Sequence, residues 1–141
     1  MRGARKRRDG QRGAAIVEFA LVLPLLLTLV LGAIDWGWYF FIDQLVTNAA
    51  REGARAGTML PPTSSDSDAT AAATGASNNY LTSVQLKATG VAATTVTVTT
   101  AGGSTKAVQV TITYPVGSLT GFMPPALLPV NAVGLSVMRR Q

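Results

Sequence analysis

The chain has 141 residues, 48% of them hydrophobic and only 13% charged, with neither cysteine nor histidine. This rules out disulfide staples and thiolate metal sites and removes the commonest general base and metal ligand, so the composition predicts a protein without catalysis, cofactor or metal. Nor does the net charge of +5 point to nucleic acid: Arg2, Arg5, Lys6, Arg7, Arg8 and Arg12 stand against Asp9 within the first 13 residues, and the other six basic residues are matched by six acids.

Residues 1–13 therefore read as a basic leader abutting an apolar run, the pattern of a cytoplasmic flank under the positive-inside rule. From Ala14 to Ile34 there are 21 residues and one charge. At 1.5 Å per residue this run reaches about 31 Å, the thickness of a bilayer's hydrocarbon core, so residues 14–34 are expected to be the transmembrane half of a long helix. The run is longer than a signal peptide's apolar core, although Gly32-Ala33 weakly resembles a cleavage site and leaves ordinary signal-peptide removal as the other reading.

The one charge in the run is Glu18. An ionised carboxylate inside a membrane helix costs several kcal/mol, so it calls for a partner. A free amine made by cutting the chain between Gly13 and Ala14 would supply one, with Glu18 then fifth in the new chain. Pro24 removes a hydrogen bond to the carbonyl of Ala20 and is expected to kink the helix within the bilayer.

Asp35-Trp36-Gly37-Trp38-Tyr39-Phe40-Phe41 follows where the span should leave the bilayer. Trp36, Trp38 and Tyr39 read as a membrane-interface belt, with Asp35 suited to a wet boundary; an aromatic core is the alternative. The helical period continues through Ile42, Leu45, Val46, Ala49, Ala50, Gly53 and Gly57, so residues 35–57 form an amphipathic extracytoplasmic half. A helix unbroken from Ala14 to about Ala56 is roughly 65 Å long. Ala49, Gly53 and Gly57 make a strip poor in side chain, which either lets a partner backbone approach or receives the protein's own sheet. Glu52 and Arg55 are spaced to pair on the solvated side.

Residues 58–68, with Pro61-Pro62 and a Ser/Asp cluster, read as a linker. Residues 69–141 read as a small α+β domain. Asp66 or Asp68 is expected to cap a short helix running to about Leu81, although Ala69–Gly75 shows no clear apolar face. The pattern then changes to period two: Thr95–Thr99 and Val108–Tyr114 alternate around a turn at 101–105, which signals a hairpin. Val84 to Ala88 is expected to supply an earlier strand and Val130 to Arg139 a last one, after a loop holding Pro115, Pro124, Pro125 and Pro129. The expected fold is α+β: a long N-terminal helix of pilin-like kind packed on a three- to four-stranded antiparallel sheet.

The string Arg12-Gly13-Ala14-Ala15-Ile16-Val17-Glu18-Phe19-Ala20-Leu21-Val22-Leu23-Pro24, followed by Asn48-Ala49-Ala50-Arg51-Glu52-Gly53-Ala54-Arg55-Ala56, closely resembles the TadE-like family of pseudopilins in bacterial tight-adherence (Flp) pilus systems. The resemblance covers about residues 10–57; beyond them it is one of outline only. It implies a precursor cut after Gly13 by a membrane-embedded prepilin peptidase, with Ala14 as the new N-terminus and Glu18 as the fifth-position acid. It further implies a minor component of pilus assembly in the bacterial cytoplasmic membrane, where the basic tail and single apolar run are expected to give a single pass with the N-terminus inside. Its expected partners are the membrane, the peptidase, other pilin or pseudopilin subunits and the pilus assembly platform, with no nucleic acid. Major Flp pilins usually carry tyrosine after that acid, where this chain has Phe19, as suits the TadE-like branch. The competing reading is an extracytoplasmic binding module on a plain signal anchor; a plain anchor has no reason to keep Glu18.

Overall fold

A computed structural model describes residues 6–61, 63–86, 93–101 and 105–140. Its elements are helix α1 (Lys6–Thr58), helix α2 (Asp66–Ser83), strands β1 (Ala93–Ala101) and β2 (Thr105–Pro115), a short 3-10 turn (Pro125–Leu127) and strand β3 (Asn131–Arg139). The three strands form one antiparallel sheet in the order β1-β2-β3, so the expected α+β architecture holds with the smaller strand number.

Helix α1 runs unbroken for 53 residues, about 80 Å at 1.5 Å per residue, and continues past Ala14 to Lys6. It passes through Pro24, whose carbonyl accepts a bond of 2.8 Å from the Thr28 hydroxyl one turn on. The helix ends two residues beyond the expected Ala56: Thr58 Oγ1 and the Met59 N–H both bond the Arg55 carbonyl, and Pro61 lies just beyond.

The cap of α2 is Ser65, not Asp66 or Asp68 as expected. Its hydroxyl accepts from the Asp68 N–H at 3.1 Å while the Asp68 carboxylate accepts from the Ser65 N–H at 3.0 Å, a reciprocal capping box. An aspartate placed three residues after a serine serves better as the returning acceptor than as the cap. The helix also has a buried face that the sequence hides: Ala69, Ala73, Ser77 and Leu81 recur every four residues and all are buried. Three of the four are small, so hydrophobicity alone does not reveal the stripe.

The hairpin is as expected, Val98 facing Val108 and Val96 facing Val110 across β1 and β2, while the tip at 102–104 lies outside the described residues. Its partner β3 begins at Asn131, and Ser136 lies opposite Val110. An earlier strand over Val84 to Ala88 does not form in its described part. Val84 closes α2, Gln85 takes a positive φ of 62°, and the Leu86 N–H returns to the Leu81 carbonyl at 2.8 Å. This is a helix-ending turn, and the backbone bonds a strand would use are already committed. Residues 87–88 lie outside the described residues.

The core lies between the inner face of the sheet and the outer part of α1. Ile42, Val46, Ala49, Ala50 and Ala54 of α1 are buried with Val108, Val110 and Ile112 of β2 and Ala132 of β3. The helix comes so close to β3 that a Cβ at Gly134 would collide with the Val46 carbonyl and lie 2.9 Å from the Thr47 nitrogen. Here glycine is required for close approach of two backbones.

Candidate membrane anchor and assembly surface

The inner half of α1 is bare. Ile16, Val17, Phe19, Leu21, Val22, Leu25, Leu26, Leu27, Leu29 and Val30 are all exposed, and no part of the fold covers them. A helix apolar on all sides must meet lipid or other apolar helices. This is the one helix among the described residues long and apolar enough to cross a membrane.

Gly13, Ala14 and Glu18 lie on this bare section, all exposed. Nothing stands within 4 Å of the place a Cβ on Gly13 would occupy. The Gly13–Ala14 bond is inside the helix, so a peptidase that takes an extended chain would first have to unwind it. Gly10 and Gly13 make that easier, each weakening a helix interior by about 1 kcal/mol relative to alanine. Ala14 and Glu18 are four residues apart and so share a helix face. After a cut at Gly13, the acid would lie near a new helix N-terminus, where the dipole favours negative charge.

The aromatic stretch divides between two surroundings. Trp36, Phe40 and Phe41 face outward, while Trp38 and Tyr39 are half-buried against the domain core. Trp36 contacts Tyr39 edge-on at 6.0 Å, and Trp38 stacks on Phe41 at 5.7 Å. Of the three residues read as an interface belt, Trp36 is exposed, whereas Trp38 and Tyr39 pack on the core that was the alternative reading.

Asp35 is not at a wet boundary. It is only 1% exposed, and its carboxylate accepts from Ser118 Oγ at 2.9 Å, the Thr120 N–H at 2.9 Å and Thr120 Oγ1 at 2.7 Å. The sequence reading missed this because the partners are 83 and 85 residues away. The polar Ser118-x-Thr120 pair in an otherwise apolar loop was the only signal.

The small-residue strip is filled from within the protein, by α2 along most of its length and by the sheet at Gly57, where a Cβ would lie 3.0 Å from Val108 Cγ1. A Cβ at Gly53 would overlap Ser77 Oγ and lie 2.8 Å from the Ala73 carbonyl; at Gly57 it would be 3.1 Å from the Ala69 carbonyl. Ser77 Oγ donates to the Ala49 carbonyl at 3.2 Å, a buried bond tying the helices at the strip. Glu52 and Arg55 pair loosely at 3.9 Å on the exposed side, as their spacing predicts.

The C-terminal end is pinned by Arg140, which the sequence reading passed over. Its guanidinium, in a residue only 5% exposed, donates to the Pro61 and Ser64 carbonyls at 2.6 and 2.9 Å. The same end carries an ion pair of 2.6 Å between Lys106 and Asp66. The Asp68 carboxyl is held below its ordinary value by the Ser65 hydroxyl and N–H bonds, with a smaller push from the Arg140 charge, against slight burial.

The β2–β3 loop encloses a small pocket of about 90 Å³, lined mainly by Val116, Met123, Leu128 and Pro129. Pockets for small-molecule ligands are usually about 300–1,000 Å³.

No curated protein and no solved structure gives a significant match. The model of the family described as TadE-like protein does match, over residues 13–55. That range begins at Gly13 and takes in Glu18, the bare apolar section, the aromatic stretch and Gly53; over it, this chain is similar to the TadE-like family.

Proposed function

We propose that this chain is a membrane-anchored pseudopilin, a minor structural component of tight-adherence (Flp) pilus assembly that works by helix packing, not catalysis. The family match supports association with the Tad pilus. The observation that carries the finer reading is the bare apolar section of α1, with its single acid five positions beyond Gly13 and its folded domain confined to the far end. In this reading a prepilin peptidase cuts between Gly13 and Ala14, the N-terminal side is cytoplasmic and the sheet domain extracytoplasmic. The Ala14 amine then pairs with Glu18 of its own or a neighbouring chain, setting the axial register between subunits. The remaining partners are other pilin or pseudopilin subunits and the assembly platform.

Intact-mass measurement of protein recovered from membranes of cells with an active prepilin peptidase tests the cut. Loss of the 13 leader residues removes about 1.5 kDa. Gly13→Leu should keep that mass, because a bulky side chain obstructs the cleft. Glu18→Ala should still be cut yet fail to co-purify with partner pilins. An uncut wild-type chain would refute the processing step, and normal partner recovery with Glu18→Ala would refute the pairing.

A further inference from the structure

The segment joining β2 to β3 spans residues 116–130 and holds no charged residue. Connections of this length with so little regular structure are uncommon in small domains and usually serve a purpose. The loop leaves the sheet where Val116 N–H bonds the Val130 carbonyl at 2.9 Å, then runs along α1 back toward the bare section.

Two contacts fix how far it reaches. Asp35, one residue beyond the apolar run, holds Ser118 and Thr120 by three hydrogen bonds. Met123 reaches further, its Cε lying 3.1 Å from where a Cβ on Gly32 would be, and Gly32 is buried beneath it. Gly32 belongs to the run 14–34, so the loop overlaps the last turn of the span. It also turns apolar side chains outward there: Leu119, Phe122 and Leu127 are 57%, 52% and 62% exposed. Trp36 and Phe40 of α1, just beyond that turn, are exposed as well.

From these positions we infer that the β2–β3 loop is a second membrane-embedded element, seated in the outer interface of the bilayer beside α1 and held there by Asp35. The occupant of its apolar surface is the lipid itself, because the surface is continuous with the span and lies level with the span's end. Protein covers the Asp35 carboxylate and satisfies it, so an acid at this depth is not left unsolvated. With no basic residue in the loop, the contact is hydrophobic and does not select anionic headgroups. The loop would fix the sheet domain close against the membrane, giving a single-span protein a second point of attachment.

The inference rests on residues 14–34 being embedded, and the test separates the two. The chain has no cysteine, so single cysteines carrying a fluorophore can be placed in the full-length protein at Phe122, Leu26 and Thr97. In phosphatidylcholine vesicles, a shallow nitroxide lipid should quench the Phe122→Cys probe severalfold more than the Thr97→Cys probe. Adding phosphatidylglycerol should not change the result, and a deep nitroxide should quench Leu26→Cys. Asp35→Ala should lower the Phe122 quenching markedly while leaving the Thr97 signal as it was. Phe122 behaving like Thr97 while Leu26 is quenched would overturn the inference alone. If Leu26 also escapes quenching, the anchor reading falls and the inference with it.

Discussion

Between Ile16 and Val30, α1 turns large aliphatic side chains outward on every side, whereas between Ile42 and Ala54 it buries one stripe completely and shows polar residues on the other. One continuous helix is thus built for two surroundings. The difference lies in side-chain size as well as polarity. The inner section is rich in leucine and valine, which fill space against lipid or neighbouring helices. The outer section narrows to Ala49, Ala50, Gly53, Ala54 and Gly57, so that α2 and β3 can come within backbone distance. A strip that suggests a partner in a membrane serves here to seat the protein's own second helix.

The strongest way to break this contrast is to charge the outer core. Val110 is fully buried on the face of β2 that meets α1. Val110→Asp should cost several kcal/mol and unfold the domain, seen as lost protease resistance in detergent, while the apolar section still partitions into membranes. Next comes Gly53→Val, whose Cβ would press on Ser77 and the Ala73 carbonyl. Separating α1 from α2 should cost roughly 1–3 kcal/mol or more, read as a lower melting temperature. Gly37, with nothing within 4 Å of its Cβ position, provides the contrast: Gly37→Ala should leave stability unchanged or slightly raised.

A smaller effect is expected at the start of α2. Ser65→Ala removes the cap and should cost about 1 kcal/mol. Because the folded Asp68 carboxyl titrates below its ordinary value, its contribution is present above that ordinary value, near 3.9, and is lost as pH falls through the lower folded value. In acid melting curves, Ser65→Ala should flatten this part of the pH dependence. An unchanged slope would mean that the capping box is not its source.

The smallest effect belongs to the inner section. Leu26→Ala should leave the melting of the sheet domain unaltered, since Leu26 is exposed and lies outside the hydrophobic core. A loss comparable to that of a core leucine would mean that the two halves are not independent.

Long periodic signals in the sequence translated well. The helix, its apolar run, the hairpin and the last strand were legible because each repeats a period over many residues. The features that escaped depend on single residues meeting across long separations. Asp35 pairs with Ser118 and Thr120, Arg140 with the carbonyls of Pro61 and Ser64, and nothing local marks either. The buried face of α2 escaped for another reason: alanine and serine bury well only where glycines opposite make room, and that match is three-dimensional. For the proposed assembly surface, Gly13 and Glu18 could be singled out from the sequence alone, since an acid in an apolar run is conspicuous on energetic grounds.

The central claim, that α1 passes from one solvent to another near Ile34, is most directly tested by cysteine accessibility in intact spheroplasts. Single cysteines at Leu25 and at Glu52, both exposed in the fold, would be challenged with a membrane-impermeant maleimide added outside. The account predicts rapid labelling of Glu52→Cys and none of Leu25→Cys until the membrane is dissolved. Equal labelling of both before detergent, or protection of Glu52→Cys with labelling of Leu25→Cys, would contradict it.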